Sequence, residues 1–507
     1  MMNEALPETR YRKQLDAFHT LLDGLEQKRK RIAWARFATF VATIIVAYKI
    51  FSVYGIPGLL PTVVGIGVLL YLVSRDVLNN EEIRNTKTLI RLNEEEIRVL
   101  KHQYTDREKG DQFLPAEHAY ANDLDIFGEA TIYQWLSRCY TEQGRQLLAS
   151  NLLHPLPLSS ILKRQDAVKE LAQKLDWRQH WQAFAMQKTI TAATQRKIEY
   201  WLEGDEKHFL HPAWKIIVSV YSILTLASAV AAITGFIPGA LFSTLFLLYL
   251  ILSVLLSRNT ILPYIQLNGI VKEAATLQSL IDWLESADFS SAYLKDLQTG
   301  IKGASSSAGS EIKELKKILD RFDLRASVVG FLFFNPFLLW DVRQIISLNN
   351  WRRRNKAVAK KWFEALAEME VLHSISTLHF NQPGWCFPTF TECHFTLEGE
   401  NIGHPLLPER QRVSNDFTLK GTAQIGLVTG SNMAGKSTFL RSLGVNMVLA
   451  QIGAPVCASR MLLSPVQLVS SMRIADNLAE NTSTFYAELK KLRTIIEMVK
   501  AHQQVFI

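Results

Sequence analysis

Four long apolar runs constrain the fold of this 507-residue chain more than any other feature. They lie at residues 37–54, 59–74, 214–234 and 240–257. Each run has roughly 17–20 residues, the length that a helix needs to cross about 30 Å of hydrocarbon. The runs form two pairs, and each pair is joined by an Ile-Pro-Gly turn. The pattern predicts two transmembrane helical hairpins. Buried core helices are the alternative, but the low charge of the runs, in which Lys49 and Lys215 are the charged residues, and their basic flanks argue against it.

The charges around the hairpins predict their orientation. Basic residues flank the outer ends of both hairpins, whereas the Ile-Pro-Gly tips carry almost no charge; these residues are Arg29, Lys30, Arg31, Arg36, Arg75, Lys215 and Arg258. By the positive-inside rule, the tips face away from the cytoplasm and the rest of the chain lies inside. The four cysteines form no C-x-x-C pair, so reduced thiols in a cytosolic compartment are expected. We therefore expect a multi-pass membrane protein.

Two shorter segments leave alternatives open. The apolar run Val328–Trp340 is too short to span a bilayer, so it predicts a buried helix. A basic run begins at Trp351 with Arg352, Arg353 and Arg354 and continues to Lys361. This run could contact DNA or lipid headgroups, or it could be an ordinary solvated helix face.

The segment from Gly430 to Ser437 fits G-x-x-x-x-G-K-[ST], the phosphate-binding loop of nucleoside triphosphatases. Residues 425–429 predict a short buried strand before the loop, and residues 437–449 predict a helix after it. A helix N-terminus behind a glycine-rich turn presents N–H groups to an anion. We expect Lys436 to contact the outer phosphates of ATP and Ser437 to ligate Mg²⁺. The candidate ATP-binding residues are Gly430, Ser431, Asn432, Met433, Ala434, Gly435, Lys436, Ser437 and Thr438.

Several segments together resemble the MutS family of ABC-type ATPases. Residues 429–441 resemble its T-G-P-N-M-G-G-K-S-T-x-x-R segment, residues 449–458 its L-A-Q-I-G-x-x-V-P-A segment, and residues 473–488 its stretch ending S-T-F-x-x-E. Earlier matches are His404-Pro405, Asn415-Asp416, and three core landmarks at 124–128, 141–144 and 164–171. The resemblance covers roughly 115–205 and 360–507. The region before 115 holds a hairpin instead of a mismatch-reading domain.

This resemblance implies a site shared by two subunits. Asn415 and Asp416 would lie near the nucleotide base, and Ser483 would contact the ATP of the partner subunit in a homodimer. The Mg²⁺-coordinating Asp and the catalytic Glu are expected after Ile507, so the given chain should bind ATP weakly and hydrolyse it poorly. No small-molecule substrate other than nucleotide is expected.

Some positions depart from the family pattern. Ala434 and Ser431 replace a glycine and a proline of the loop. Glu480-Asn481 stands where the family has Ser-Gly, which should weaken closure of the dimer around ATP. Arg412 and Val413 occupy the place of the aromatic residue that stacks on the base.

The expected fold is multidomain. An α-helical, MutS-core-like region with two transmembrane hairpins precedes an α/β P-loop ATPase domain of ABC type that is truncated at its C-terminus. The expected segments are a basic N-terminal helix (1–36), a transmembrane hairpin (37–75), a helical linker (76–114), a core-like helical region (115–213), a second hairpin (214–258), a lever-like helical region (259–375) and the incomplete ATPase domain (376–507).

The sequence is compatible with three functions. The first is a membrane-anchored MutS-type ATPase that couples ATP-driven dimer closure to its helical arms, with DNA binding through basic surfaces as an option. The second is a membrane-tethered mismatch repair protein that binds mismatched or branched DNA. The third is an ABC-type transporter, for which four spans split by large soluble segments make a poor translocation path. Salt-dependent DNA binding separates the first two.

Overall fold

The computed structural model describes residues 6–55, 60–204, 209, 211–258, 265, 267, 269–302, 307–323, 328–392, 395–472, 489, 492–493, 495–498, 500 and 505–506. Helices dominate this part of the chain. They are α1 (Pro7–Tyr54), α2 (Leu60–Leu100), α3 (Ile132–Leu136), α4 (Glu142–Leu153), α5 (Leu158–Gln173), α6 (Leu175–Ala185), α7 (Ala192–Glu203), α8 (Ala213–Ile233), α9 (Gly239–Ser257), α10 (Val271–Ser286), α11 (Ala292–Gly300), α12 (Ala308–Asp323), α13 (Val328–Leu338), α14 (Trp340–Asn355), α15 (Ala359–Asn381) and α16 (Lys436–Gln451).

The first hairpin is longer than the sequence predicts. Helices α1 and α2 pack against each other in antiparallel orientation. Arg36 Nη1 lies 2.6 Å from Asp76 Oδ2 next to the apolar runs, and Lys101 Nζ lies 3.9 Å from Glu8 Oε1 at the far end. The predicted boundaries at 36/37 and 75/76 fall inside these helices. Neither junction contains the proline or glycine that would end a helix, so each helix continues from its apolar run into its polar part.

The polar part of α2, which lies in the segment predicted as a helical linker (76–114), belongs to the helical core. Leu92, Asn93 and Glu96 are buried. The Asn93 amide exchanges two hydrogen bonds with Gln179 of α6, with N–O distances of 3.1 and 2.9 Å. Both carboxylate oxygens of Glu96 accept hydrogen bonds from the Arg138 guanidinium at 2.8 Å. On one face of this helix the polar and charged side chains pair with other protein groups, and on the other face they contact solvent.

Helix α15 runs through the centre of the core. Most of its residues are buried, and it packs against both α4 and α5. Its Glu368 accepts two hydrogen bonds from Arg164 of α5, at 2.7 and 2.5 Å. A buried pair of this kind is stable only with full pairing, because desolvation of each charge is costly. The helix ends at Asn381, so the predicted boundary at 375/376 falls within it.

The second hairpin consists of α8 and α9, joined by a short turn. Tyr249 Oη donates to Ser228 Oγ at 3.2 Å across the pair. Among the described residues, four helices are able to cross a membrane by length and composition: Pro7–Val53, Pro61–Leu100, Ala213–Ile233 and Gly239–Ser257. In each of them, at most 17% of the most apolar stretch is buried inside the protein. Both predicted hairpins are therefore present as helices of membrane-spanning character.

The expectation that Val328–Trp340 forms a buried helix is wrong. The segment forms α13, which packs on α8 and α9. However, Phe333 is 66% exposed and its neighbours Leu332 and Phe334 are also exposed. Burial was predicted because the segment is too short to span a bilayer, and length does not distinguish a protein core from another apolar environment.

The first residues of the basic run, on α14, are buried and make contacts inside the protein. Trp351 and Arg352 are buried. The Arg352 guanidinium lies over the Trp201 ring, 5.2 Å from its centroid, and donates to the carbonyl oxygens of Leu202 and Gly204. Further along, Lys356, Lys360 and Lys361 are exposed. Arg353 and Arg354 are exposed as well, so the solvated face begins within α14 and continues to Lys361.

The C-terminal region carries the strands. They are β1 (Thr389–Phe390), β2 (Thr396–Ile402), β3 (Asn415–Lys420), β4 (Arg460–Leu463), β5 (Gln467–Leu468) and β6 (Val505–Phe506). The first four form a sheet in the order β1-β4-β2-β3, and β5 pairs with β6 in parallel. Pairs β2–β3 and β2–β4 are antiparallel, whereas β1–β4 is parallel. Cys139, Cys386 and Cys457 are free thiols, as their isolation in the sequence predicts; Cys393 lies outside the described residues.

The strand predicted over 425–429 does not form. These residues have no regular secondary structure and no ladder partners, and the side chains of Ile425 and Leu427 are 91% and 85% exposed. Strand β3 ends the four-stranded sheet and pairs with β2 alone. A strand is stabilised by its hydrogen-bonded neighbours and its covered face, and the described residues supply neither to this segment.

Candidate nucleotide-binding site

The candidate loop ends at the N-terminus of α16. Gly435 immediately precedes this helix in the left-handed conformation, with φ 84°, which glycine adopts without steric cost. The backbone hydrogen bond from Phe439 N to Gly435 O, at 2.9 Å, closes the first turn. The amide groups of a first turn have no intrahelical acceptors, and the helix dipole makes this end positive. The predicted helix over 437–449 is confirmed, and it presents an anion-binding end.

The Lys436 side chain forms hydrogen bonds within the candidate loop. Its Nζ donates to the carbonyl oxygens of Gly430 and Ser431, each at 2.7 Å. The carbonyl oxygens turn inward to the ammonium group, so the loop curls around the lysine side chain. The side chains of Ser437 and Thr438 are exposed. The structure therefore brings the loop, the lysine and the hydroxyl groups together in one solvent-facing turn; the loop residues themselves are Gly430, Ser431, Asn432, Met433, Ala434 and Gly435.

The middle of α16 is fixed to the helical core. A Cβ added at Gly444 would lie 2.8 Å from Leu124 Cδ2, so the helix backbone approaches the core closely. One turn earlier, Arg441 Nη1 lies 3.1 Å from Asp125 Oδ2. The residues contacted belong to the core landmark at 124–128. The sequence does not predict this contact, because no local pattern connects positions so distant in the chain.

The end of α16 is also fixed to the core. Gly453 follows the helix with φ 82° and lies against the backbone of Ile161 and the side chain of Arg164. Leu156 N donates to Gln451 O at 3.3 Å. A side chain at position 453 would be strained by the backbone and would meet α5. The helix behind the loop is thus fixed at its middle and its end, while its first turn faces solvent.

Asn446 connects α16 to the neighbouring loops and was missed by sequence reasoning. It is fully buried; its amide donates to Gly403 O at 2.9 Å and its Oδ1 accepts from Cys457 N at 2.6 Å. A buried amide is retained when its hydrogen bonds are satisfied. The sequence does contain a sign of this buried amide, because Asn446 is a polar residue inside the apolar run 443–450.

The landmarks Asn415 and Asp416 lie at the start of β3. Asn415 pairs with Ile402, and Asp416 Oδ1 accepts a hydrogen bond from Asn401 N at 2.8 Å. The next residue, Phe417, packs edge-on against Phe439 in the first turn of α16, with centroids 5.8 Å apart. The structure therefore brings the strand of these landmarks to the loop helix, while Asn415 pairs with β2 through its backbone and the Asp416 side chain accepts a hydrogen bond from β2.

His404 and Arg412 form a second cluster beside α16. Burial, reinforced by the positive charge of Arg441, lowers the pKa of His404 to about 4, so its ring is neutral at pH 7. Arg412 donates to the carbonyl oxygens of His404 and Leu407 and lies 5.5 Å from the centroid of the Trp385 ring. Arg412 is therefore held internally, and the neighbouring Val413 is exposed.

Two predictions fall outside what the structure describes. Ser483, with its altered neighbours Glu480 and Asn481, lies outside the described residues. The catalytic residues predicted after Ile507 are not in the given sequence. The described site therefore consists of the loop, its helix and the docking contacts of that helix.

Comparison with known proteins identifies relatives of the C-terminal region. Residues 426–507 match the family model of MutS domain V. The DNA mismatch repair protein MutS of Treponema pallidum is 32% identical over 177 residues, covering 33% of this chain and 19% of that protein. Endonuclease MutS2 of Thermus thermophilus is 33% identical over 148 residues, covering 29% and 19%. The DNA mismatch repair protein MSH3 of Phaeosphaeria nodorum is 35% identical over 150 residues, covering 28% and 13%.

These matches are confined to one part of the molecule. The aligned region spans less than a fifth of the length of each of these relatives. The segment matched by the family model begins just before the candidate loop and contains α16 and β4 to β6. This part of the chain is therefore similar to domain V of MutS proteins.

Proposed function

We propose that residues 430–438 bind the phosphates of ATP, and that the chain is a membrane-anchored MutS-type protein in which nucleotide binding acts on the helical core. The observation that carries this proposal is the position of the loop. It lies at the exposed N-terminus of α16, and the same helix is fixed to the core through Gly444 and Arg441.

The residues present fit a bound triphosphate with Mg²⁺. The first turn of α16 supplies unpaired backbone N–H groups and the positive end of a helix dipole. Lys436 Nζ would exchange its two carbonyl contacts for phosphate oxygens, which offer a negative charge in place of neutral acceptors. The exposed Ser437 hydroxyl would serve as a ligand of Mg²⁺, an ion that prefers oxygen donors. Mg²⁺ would neutralise part of the phosphate charge.

The anchoring part of the proposal is supported by both hairpins. The most apolar stretches of their helices are largely unburied. An apolar surface of this extent is unfavourable in contact with water. Their basic flanks favour an arrangement in which the loop faces the cytoplasm, where ATP is available. Two copies would close on ATP through their C-terminal regions as a homodimer, with Ser483 of one copy at the nucleotide of the other.

The names of the relatives favour a second candidate, a membrane-tethered protein that binds mismatched or branched DNA. The exposed lysines Lys356, Lys360 and Lys361 provide a cationic surface for phosphate groups. Arg352 does not contribute to that surface, because it is buried and paired with backbone carbonyls. This second function adds DNA as a partner and retains the nucleotide site of the first.

Binding of labelled ATP to the full chain in detergent micelles tests the first proposal. We expect saturable binding that requires Mg²⁺, together with a nucleotide-dependent increase in cross-linked dimer. An absence of saturable binding would overturn the proposal.

DNA titrations with homoduplex, mismatched and branched DNA decide the second function. The full chain is titrated at low and high salt. Saturable binding that weakens steeply with salt and prefers mismatched or branched DNA supports it. A lack of saturable binding at low salt removes it and leaves the nucleotide site unaffected.

A further inference from the structure

Helix α13 exposes an apolar face with no charged side chain. The segment Val328–Leu338 contains neither acidic nor basic residues. Phe333 is 66% exposed, and Phe334 and Leu332 are exposed beside it. Phenylalanine side chains grouped on a surface are unfavourable in water. The helix has only 11 residues, too few to span a bilayer.

This helix packs against the basic-flanked half of the second hairpin. Asn335 Nδ2 donates to Ser257 Oγ at 2.7 Å, at the last residue of α9. Phe337 lies against Phe246, with ring centroids 5.7 Å apart. Phe246 precedes Ser257 by about three turns, or about 16 Å along α9. The contacts of α13 therefore extend from the basic-flanked end of the hairpin to about the middle of its apolar length.

The C-terminal carbonyl groups of α13 are satisfied by side chains. Tyr221 Oη donates to Pro336 O at 2.8 Å, and Thr225 Oγ1 donates to Phe337 O at 2.7 Å. Arg343 Nε donates to Leu338 O at 3.0 Å. The last carbonyl groups of a helix lack intrahelical donors, and in water the solvent can supply them. In hydrocarbon every backbone polar group must find a protein partner, and these three carbonyl groups have one.

The chain reversal after α13 follows the same principle. Leu339 adopts a left-handed conformation with φ 45°, and its N–H donates to Asn335 O at 3.0 Å. Asn335 and Asp341 are buried, and Asp341 N donates to Asn335 Oδ1 at 3.2 Å. Irregular backbone at membrane depth is tolerated where it is enclosed by protein. The reversal is enclosed by polar groups from its own two helices and from the hairpin.

We propose that α13 is a membrane-inserted half-helix, embedded in the cytoplasmic leaflet beside α8 and α9, with its phenylalanine face against lipid acyl chains. This inference rests on the proposed anchoring of the second hairpin. The lipid is favoured as the occupant because α13 packs on α8 and α9, and these two helices also expose apolar side chains, including Leu224 and Leu247. A protein partner would be expected to meet a polar rim around the apolar centre.

The test uses a genetically encoded, environment-sensitive fluorescent amino acid at position 333 in the full chain. The protein is reconstituted in vesicles of phosphatidylcholine and phosphatidylglycerol. Quenching is measured with a nitroxide-labelled lipid and with aqueous iodide. Position 334 is labelled separately, which keeps the test valid if labelling at 333 prevents folding. Leu247 on α9 reports the hairpin itself, and the exposed Lys360 reports the aqueous phase.

We expect positions 333 and 334 to be quenched by the lipid and protected from iodide, as position 247 is, with the opposite result at 360. Lipid quenching at 247 but iodide quenching at 333 and 334 would overturn the half-helix and leave the anchor intact. Protection of 333 and 334 from both quenchers would indicate a protein contact, a second copy included, and would also overturn the half-helix. Iodide quenching at 247 would overturn the anchoring of the hairpin itself.

Discussion

Arg441 of α16 and Asp125 of the helical core form an ion pair with a 3.1 Å separation. The two residues are more than 300 positions apart in the chain, and the pair stands on the second turn of the helix that follows the candidate loop. One turn later, Gly444 lies against Leu124. A displacement of the loop helix on nucleotide binding would therefore act directly on the segment 124–128.

The Arg441–Asp125 pair should contribute measurably to stability. Alanine substitutions of each residue and of both form a double-mutant cycle, from which we expect a coupling energy of about 1 kcal/mol. Both side chains are partly buried, at 22% and 32% exposure, so solvent screens the pair only in part. The measurement is the denaturant midpoint of the full chain in detergent.

The pair Arg460–Glu400 provides the matched control. Its atoms lie 3.4 Å apart, but both side chains are largely exposed. Exposed ion pairs contribute little, so its cycle should give a coupling energy near zero. Equal coupling energies in the two cycles would contradict a special role for the Arg441–Asp125 pair.

Replacement of the loop lysine should weaken nucleotide binding. In Lys436→Ala the loop loses the ammonium group that bridges Gly430 O and Ser431 O, so a charge-assisted contact to phosphate is also lost. We expect ATP affinity to fall by roughly ten- to a hundred-fold, with membrane insertion unchanged. Lys420→Ala is the control, because Lys420 pairs with Glu398 on the sheet and should leave affinity unchanged. Equal ATP affinity in wild type and Lys436→Ala would refute the assignment of the loop.

The sequence predicted those features that local patterns determine. Apolar length predicted the hairpin helices, and the glycine before Lys436 correctly indicated the start of α16. The strand at 425–429 was wrong because a strand depends on neighbours that its own residues do not specify. The boundaries at Arg36 and Arg75 do not coincide with helix ends, because a change in hydropathy does not end a helix.

The packing of the site could not be predicted from local patterns. The contact between Gly444 and Leu124 and the buried amide of Asn446 depend on which segments meet in space. The exposed face of α13 was missed for a related reason. A short apolar segment predicts burial from water, and Phe333 is buried from water by lipid if the half-helix proposal holds.

Glu370 should make stability decrease with rising pH. Burial raises the pKa of its carboxyl group to about 7, despite hydrogen bonds donated by Thr141 and by the Tyr140 amide that favour the ionised form. The ordinary pKa of the group is 4.5. Between these values the folded state retains a proton that the unfolded state releases, so stability is lost as pH rises through this interval, by about 3 kcal/mol.

The measurement for Glu370 is the free energy of unfolding between pH 4.5 and 7 for wild type and Glu370→Gln. The difference between the two should change across this interval, because the glutamine cannot ionise. Glu364→Gln alters an exposed glutamate of the same helix and should track the wild type. A constant difference between wild type and Glu370→Gln would rule out a proton bound by Glu370.

Gly65 should be essential for close packing of the first hairpin, whereas Gly67 should not. A Cβ at Gly65 would overlap the Thr43 side chain of α1, and a Cβ at Gly67 would meet nothing within 4 Å. Small residues let helix backbones approach closely where lipid gives no hydrophobic drive for association. Gly65→Leu should therefore separate the helices and lower the thermal midpoint of the full chain in detergent, with Gly67→Leu close to wild type. Equal midpoints in both variants would show that the approach at Thr43 does not stabilise the hairpin.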